Sequence, residues 1–167
     1  MDTAGDLCLQ RLVQVVEARG CSREKTEVVL GRVMVANAWD PTEMLATIKQ
    51  INGLQPNLVV LDNLSIPFMP MVTNNTISAG VFAAGSRVVQ ALREITAVSN
   101  PPPAILVTSN LRGGKDLEPA PALRGVFRGL ADTRVMMSRT DSTTLQADIV
   151  RGSPASCNYS LGKSGVT

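Results

Sequence analysis

Leu58-Val59-Val60-Leu61-Asp62 sets four apolar residues directly before an acid, and no other run in the 167-residue chain points so clearly to chemistry. An uninterrupted apolar run fits a strand buried on both faces, as a helix-covered parallel sheet requires. An acid at the carboxyl end of such a strand lies at the sheet edge where α/β folds bind ligands. A carboxylate in that position can hold the water shell of a magnesium ion at a phosphoryl-transfer site. Equally, it can do no more than cap the turn that follows. The phosphate cradle that accompanies such an acid, GxxxxGK[ST], does not occur in these residues. Gly162-Lys163-Ser164 has its tail, but Cys157 stands where the first glycine belongs, and no helical pattern follows.

Other catalytic chemistries are limited by composition. There is no histidine, which excludes a Ser–His–Asp triad, and Cys8, Cys21 and Cys157 form no CxxC pair. Three scattered cysteines suit a reducing compartment better than a disulfide scaffold. No stretch is long and apolar enough to span a membrane. The first residues, with Asp2 and Asp6, lack the basic region of a signal peptide. The expectation is an intracellular, soluble protein of one domain over 1–167.

The net charge of +2 is spread unevenly. Residues 1–100 carry eight basic and nine acidic groups, whereas 101–167 carry eight basic and five acidic. Arg112, Lys115, Arg124, Arg128, Arg134 and Arg139 make a basic stretch suited to phosphates or, as readily, to a solvated surface.

These residues need elements to hold them, and the pattern alternates helices with strands. Asp6 can cap a helix with Leu9, Leu12, Val13 and Val16 on one face, stopped by Gly20. After a polar turn, Gly31–Asn37 reads as a strand. Asp40-Pro41-Thr42-Glu43 supplies an N-cap acid, a first-turn proline and a near capping box. The helix it opens has Met44, Leu45, Ile48 and Ile51 as its apolar face. After Leu58–Asp62, residues 63–79 resist regular assignment. A helix is expected from about Ser78 to Ser99, ending at the Pro101-Pro102-Pro103 block. Ala104–Thr108 is a second buried-looking strand, and 109–124 is a Gly/Pro/Lys/Arg-rich loop. Thr133–Ser138 and Thr143–Val150 alternate around Asp141-Ser142, which predicts a hairpin. Ser156–Leu161 adds a last strand.

Several of these segments together resemble eukaryotic RecA-like recombinases. Asp2-Thr3-Ala4-Gly5-Asp6 with Leu9-Gln10-Arg11-Leu12 is similar to the family's "IDTEG…RL" segment, and Leu58–Asp62 to its metal-side strand. Val107-Thr108-Ser109-Asn110 sits where the family has a strand ending in Thr-Asn-Gln or Thr-Asn-His. Pro121-Ala122-Leu123-Arg124-Gly125, followed by Thr133-Arg134-Val135-Met136, resembles "PALG…STRI" of the recombinase paralogues, particularly the D-type. The segments cover nearly the whole chain in the family's order.

The resemblance implies an α/β RecA-like P-loop NTPase core: a mostly parallel sheet flanked by helices, a C-terminal antiparallel hairpin extension, and the first phosphate-loop unit missing. It assigns Asp62 to magnesium and, with Asn110, to nucleotide, so ATP and magnesium are the implied cofactors. The family's catalytic glutamate falls on Ala4, which cannot polarise water, so no catalytic residue is assigned and no independent ATPase activity is expected. Met69–Gly80 corresponds to the first DNA-binding loop and Arg112–Arg124 to the second. Arg112, Gly113, Gly114, Lys115 and Arg124 are the implied DNA contacts. The function implied is that of an accessory recombinase paralogue in homologous recombination DNA repair. It would be nuclear and would bind other paralogues and single-stranded or branched DNA. The alternative is a fragment or isoform of a DNA-dependent ATPase whose phosphate loop lies upstream of Met1.

Overall fold

Strand β1 (Leu58–Leu61) pairs in parallel with β2 (Ala104–Val107), matching Leu58 to Ala104 and Leu61 to Val107. A computed structural model describes these strands and residues 1–72, 77–112, 120–127, 129–141, 144–162 and 165–166 in all. The chain divides into two compact units, Met1–Leu7 with Val35–Leu130, and Cys8–Met34 with Ala131–Thr167. No described helix is long and apolar enough to cross a membrane.

In the first unit the sheet continues past β1 by single bridges. Asp2 bridges Asp62 on one side and Asn37 on the other, both in parallel. The Asp62 N–H donates to Met1 O at 3.0 Å and the Thr3 N–H to Asp62 O at 2.7 Å. The expected Gly31–Asn37 strand is therefore corrected: only Asn37 bridges, and Val33, Met34 and Val35 are exposed and belong to no strand. The apolar run of residues 33–36 made that segment look like a strand, but no described strand lies beside Val33–Val35 to pair with it.

Two helices cover one face of β1 and β2. The first (Pro41–Asn52, α3 in chain order) starts as its sequence dictates: Asp40 accepts from the Thr42 and Glu43 amides, and Pro41 sits at the first position. Glu43 accepts from the Trp39 N–H at 2.8 Å, one residue before the cap, so the capping box is offset. The second (Ala79–Val98, α4) is capped by Ser78, whose hydroxyl accepts from the Val81 amide. Met44 and Ile48 from α3, and Val81, Val88, Leu92 and Ile95 from α4, bury their side chains with Val59 and Leu61. Residues 63–79, irregular by pattern, include a 3₁₀ turn over Ile66–Met71 that drives Phe68 to full burial against Phe127 of the short helix α5 (Arg124–Phe127). Gly85 lets α5 approach: a Cβ there would lie 2.0 Å from Val126 Cγ1. Within the expected 109–124 loop, Leu111–Arg112 (β3) and Ala120–Pro121 (β4) pair as a minimal antiparallel ladder.

In the second unit, α1 (Leu9–Ala18) follows Cys8 as N-cap, not Asp6. The expected polar turn after it is a helix, α2 (Arg23–Leu30), opened by Ser22 accepting from Lys25 N. Its polarity had disguised a capped helix. The predicted hairpin forms between β5 (Arg134–Arg139) and β6 (Leu145–Arg151), and β7 (Ser156–Tyr159) adds to β6, all antiparallel. Asp141 accepts from the Thr144 amide at the turn. The expected last strand stops at Tyr159, and Leu161–Gly162 (β8) pairs instead with Gly165–Val166 (β9).

Candidate nucleotide-side site at the carboxyl ends of the parallel strands

Parallel strands β1 and β2 end side by side, and the residues just past each end carry the polar groups. Asp62 follows β1 and its Oδ1 accepts from the Thr108 hydroxyl, just past β2, at 2.5 Å. Both residues are exposed, so the carboxylate faces solvent at the sheet edge. Asn110, two residues beyond Thr108, accepts on Oδ1 from Asn63 Nδ2 at 2.9 Å. The two assigned residues, Asp62 and Asn110, thus stand at one edge and are linked through their neighbours.

Behind them lies a buried polar layer. Asn63 Oδ1 accepts from both the Ser65 amide (2.9 Å) and the Ser65 hydroxyl (2.7 Å). Ser65 Oγ in turn accepts from the Asn110 amide at 3.2 Å. Thr3 closes the layer from the other side, its hydroxyl donating to Asn63 O at 2.6 Å and accepting from Asn63 N at 2.7 Å. Thr3 and Ser65 are almost wholly buried, and buried polar groups so completely paired fix geometry. Thr3, Asn63, Ser65 and Thr108 were not singled out from sequence. The available signal was local to one pair: an Asn side chain can accept from the backbone amide two residues on, as Asn63 does from Ser65.

The loop carrying Ala4 is held by Asp2. Its Oδ1 accepts from the Ala4 and Gly5 amides at 3.0 and 2.8 Å, and its Oδ2 from the Leu7 amide at 3.0 Å. Gly5 has φ +75°, and a Cβ there would lie 3.0 Å from Trp39 Cη2. The Leu7 N–H holds the Asp2 carboxyl below its ordinary pKa against the opposing effect of desolvation, with the Gly5, Ala4 and Asp6 amides adding to it. A pKa depressed on folding adds stability above the unfolded value, about 3.9, that is lost as pH falls through the folded value. We expect acid to loosen this loop: amide exchange at Ala4, Gly5 and Leu7 should accelerate as pH drops below the usual carboxylate range, beyond the intrinsic pH effect. Asp2→Asn should remove that extra pH dependence, and an unchanged profile in the variant would refute the assignment.

The donor set for a metal is sparse. Among the described residues no group of three His, Cys, Asp or Glu converges, and the Asp2 carboxylate is occupied by amides. Asp62 with Thr108 fits a magnesium ion that keeps most of its water, not a protein-built cage. Of the implied DNA contacts, Arg112 and Arg124 belong to β3 and α5, on either side of the 113–119 segment. Gly113, Gly114 and Lys115 lie outside the described residues, as do 73–76 of the implied first loop.

Parallel strands in the first unit and antiparallel strands in the second make this a mixed α/β chain, and its fold is RecA-like. The structure is similar to the crystal structure of the RadB recombinase, with a TM-score of 0.74 over 99% of this chain and 75% of that one. Sequence identity is 19%, so the likeness is one of fold. No family model and no curated protein matches the sequence.

Proposed function

We propose that this chain is an accessory RecA-like subunit in homologous recombinational DNA repair, docking on other recombinase paralogues and on single-stranded or branched DNA in the nucleus. The observation that carries the reading is the edge itself. Asp62, Thr108, Asn63 and Asn110 occupy the carboxyl ends of the parallel strands in a fold matched along 99% of the chain by a recombinase. When bound, ATP with magnesium would supply a charged group that draws subunits together at this edge. Asp62 would face the hydrated ion with its free carboxylate oxygen, the Thr108 hydroxyl would orient that carboxylate, and Asn110, held by Asn63, would offer its amide to the nucleotide. Ala4 has no proton-accepting group, so water at this edge finds no base there.

Two experiments test this. The chain alone should show no ATP turnover above background, and Ala4→Glu should not create it, because these residues supply no phosphate cradle. Turnover that Asp62→Asn abolishes would instead identify a catalytic ATPase. DNA binding, measured by fluorescence anisotropy on single-stranded oligonucleotides, should be weak, salt-sensitive and dependent on Arg112 and Lys115. Each phosphate neutralised contributes about −0.7 to −0.9 to the slope of log K against log salt, so alanine at both positions should flatten it by about one to two units. An unchanged slope would place DNA contact elsewhere.

A further inference from the structure

Asn52 closes helix α3 and Gly53 caps it, and the pair is the only Asn-Gly step in the chain. Every other asparagine precedes a residue with a side chain, such as Leu58 after Asn57 or Leu111 after Asn110. Asn52 also differs in its hydrogen bonding. Its Oδ1 is buried without a partner, the one such side-chain atom among the described residues. The carboxamides of Asn63 and Asn110 are tied to their neighbours. Turning the Asn52 carbonyl, by contrast, breaks no bond at that oxygen and returns it to water. Backbone geometry does not require the glycine. Gly53 has φ −77° and ψ −12°, in the ordinary right-handed region, and a Cβ there would meet only Gln50 O, at 3.6 Å.

We infer that Asn52–Gly53 is a covalent modification site, at which the chain deamidates itself and so loosens the end of α3. The Gly53 backbone nitrogen loses its proton to hydroxide and bonds to Asn52 Cγ. The bond from Cγ to Nδ2 breaks, and Nδ2 takes a proton from water and leaves as ammonia. One water then opens the five-membered succinimide at either carbonyl, giving aspartate or isoaspartate at position 52. Nothing is oxidised or reduced. Gly53 has no Cβ, so its nitrogen approaches Cγ with the least hindrance any residue offers. Two bonds of the last turn restrain it: Gly53 N–H donates to Gln50 O at 3.2 Å and Leu54 N–H to Ile51 O at 2.9 Å. Helix ends open most readily, so this restraint is a weak one. Either product works against the helix. Aspartate adds negative charge at the C-terminal end, where the dipole is already negative, and charges a buried oxygen position. Lys49 in the same turn offsets part of that charge. Isoaspartate inserts an extra backbone carbon and cannot continue the regular hydrogen-bond ladder. The inference rests on this helix end alone, so it stands or falls separately from the recombination role.

The test is to incubate the full 167-residue chain at neutral and at mildly alkaline pH, digest it, and separate its asparagine peptides by mass and charge. Conversion should be fastest at Asn52 and should rise with hydroxide concentration. It should run well ahead of Asn57, which is exposed in the loop that follows. Gly53→Ala fits the backbone, so it should slow conversion about tenfold or more while leaving the melting curve in place. Asn52→Asp stands in for the aged chain. Beyond the intrinsic effect of the substitution, it should speed exchange of the Gly53 and Leu54 amides about two- to fivefold. Asn52 intact after Asn57 has converted, equal conversion in the Gly53→Ala chain, or a rate indifferent to pH would each overturn the site. Unchanged exchange in Asn52→Asp would overturn the loosening of α3.

Discussion

Asn63→Ala is expected to destabilise the protein by about 2–4 kcal/mol, although alanine fits the space. The Asn63 side chain accepts from the amide and hydroxyl of Ser65, a residue with no exposure, and donates to Asn110. Removing it orphans two buried donors, each costing about 1–3 kcal/mol, while the Ser65 oxygen keeps its bond from the Asn110 amide. The double variant with Ser65→Ala should lose less than the sum of the singles, because the hydroxyl that Asn63 satisfied is then gone. Urea midpoints would read this directly. Strict additivity, or a loss within a few tenths of a kcal/mol, would mean the layer is wet and contributes little. The same change should loosen Asn110 without touching the Asp62–Thr108 bond, separating the two halves of the edge.

The second large effect is expected at Phe68→Ala, about 3–5 kcal/mol from lost burial and the cavity left behind. Phe68 has no exposure and meets Phe127 edge-on, with ring centroids 5.4 Å apart and planes at 73°. The aromatic contact itself is worth about 0.5–1.5 kcal/mol beyond burial. Phe68→Leu should recover most of the burial but not that contact, and Phe127→Leu should then cost little more in its background. Against a total stability of about 5–15 kcal/mol for a domain, the alanine variant should be partly unfolded at room temperature. A midpoint shift no larger than that of a surface substitution would show that Phe68 does not anchor the 3₁₀ turn to α5.

How much of this was legible in the sequence depended on how local each signal was. The Asp40-Pro41-Thr42-Glu43 start, the β1 and β2 runs, the Ser78 helix and the 134–151 hairpin rest on neighbouring residues, and each formed where its pattern placed it. Helix α2 was missed because its eight residues bury only Thr26 and show no apolar stripe; the cap at Ser22 was the sole local sign. The Gly31–Asn37 segment failed for the opposite reason: its apolar run is real, but whether it becomes a strand depends on a partner elsewhere in the chain. The edge was half legible. Asp62 follows an apolar run and Asn110 comes from the resemblance, and both lie just past the ends of paired strands, whereas the Thr3–Asn63–Ser65 layer joins residues 60 apart, and no local pattern announces such a contact.

Trp39 gives the Ala4 loop an optical voice. It is the chain's single tryptophan, and its ring edge lies where any side chain larger than glycine at position 5 would have to push. Its emission wavelength and its access to a dissolved quencher therefore follow one event, the seating of the Asp2–Leu7 hook, with no second indole to blur the reading. The chain carries a native fluorophore against Gly5, so the seating of that loop can be followed in unlabelled protein.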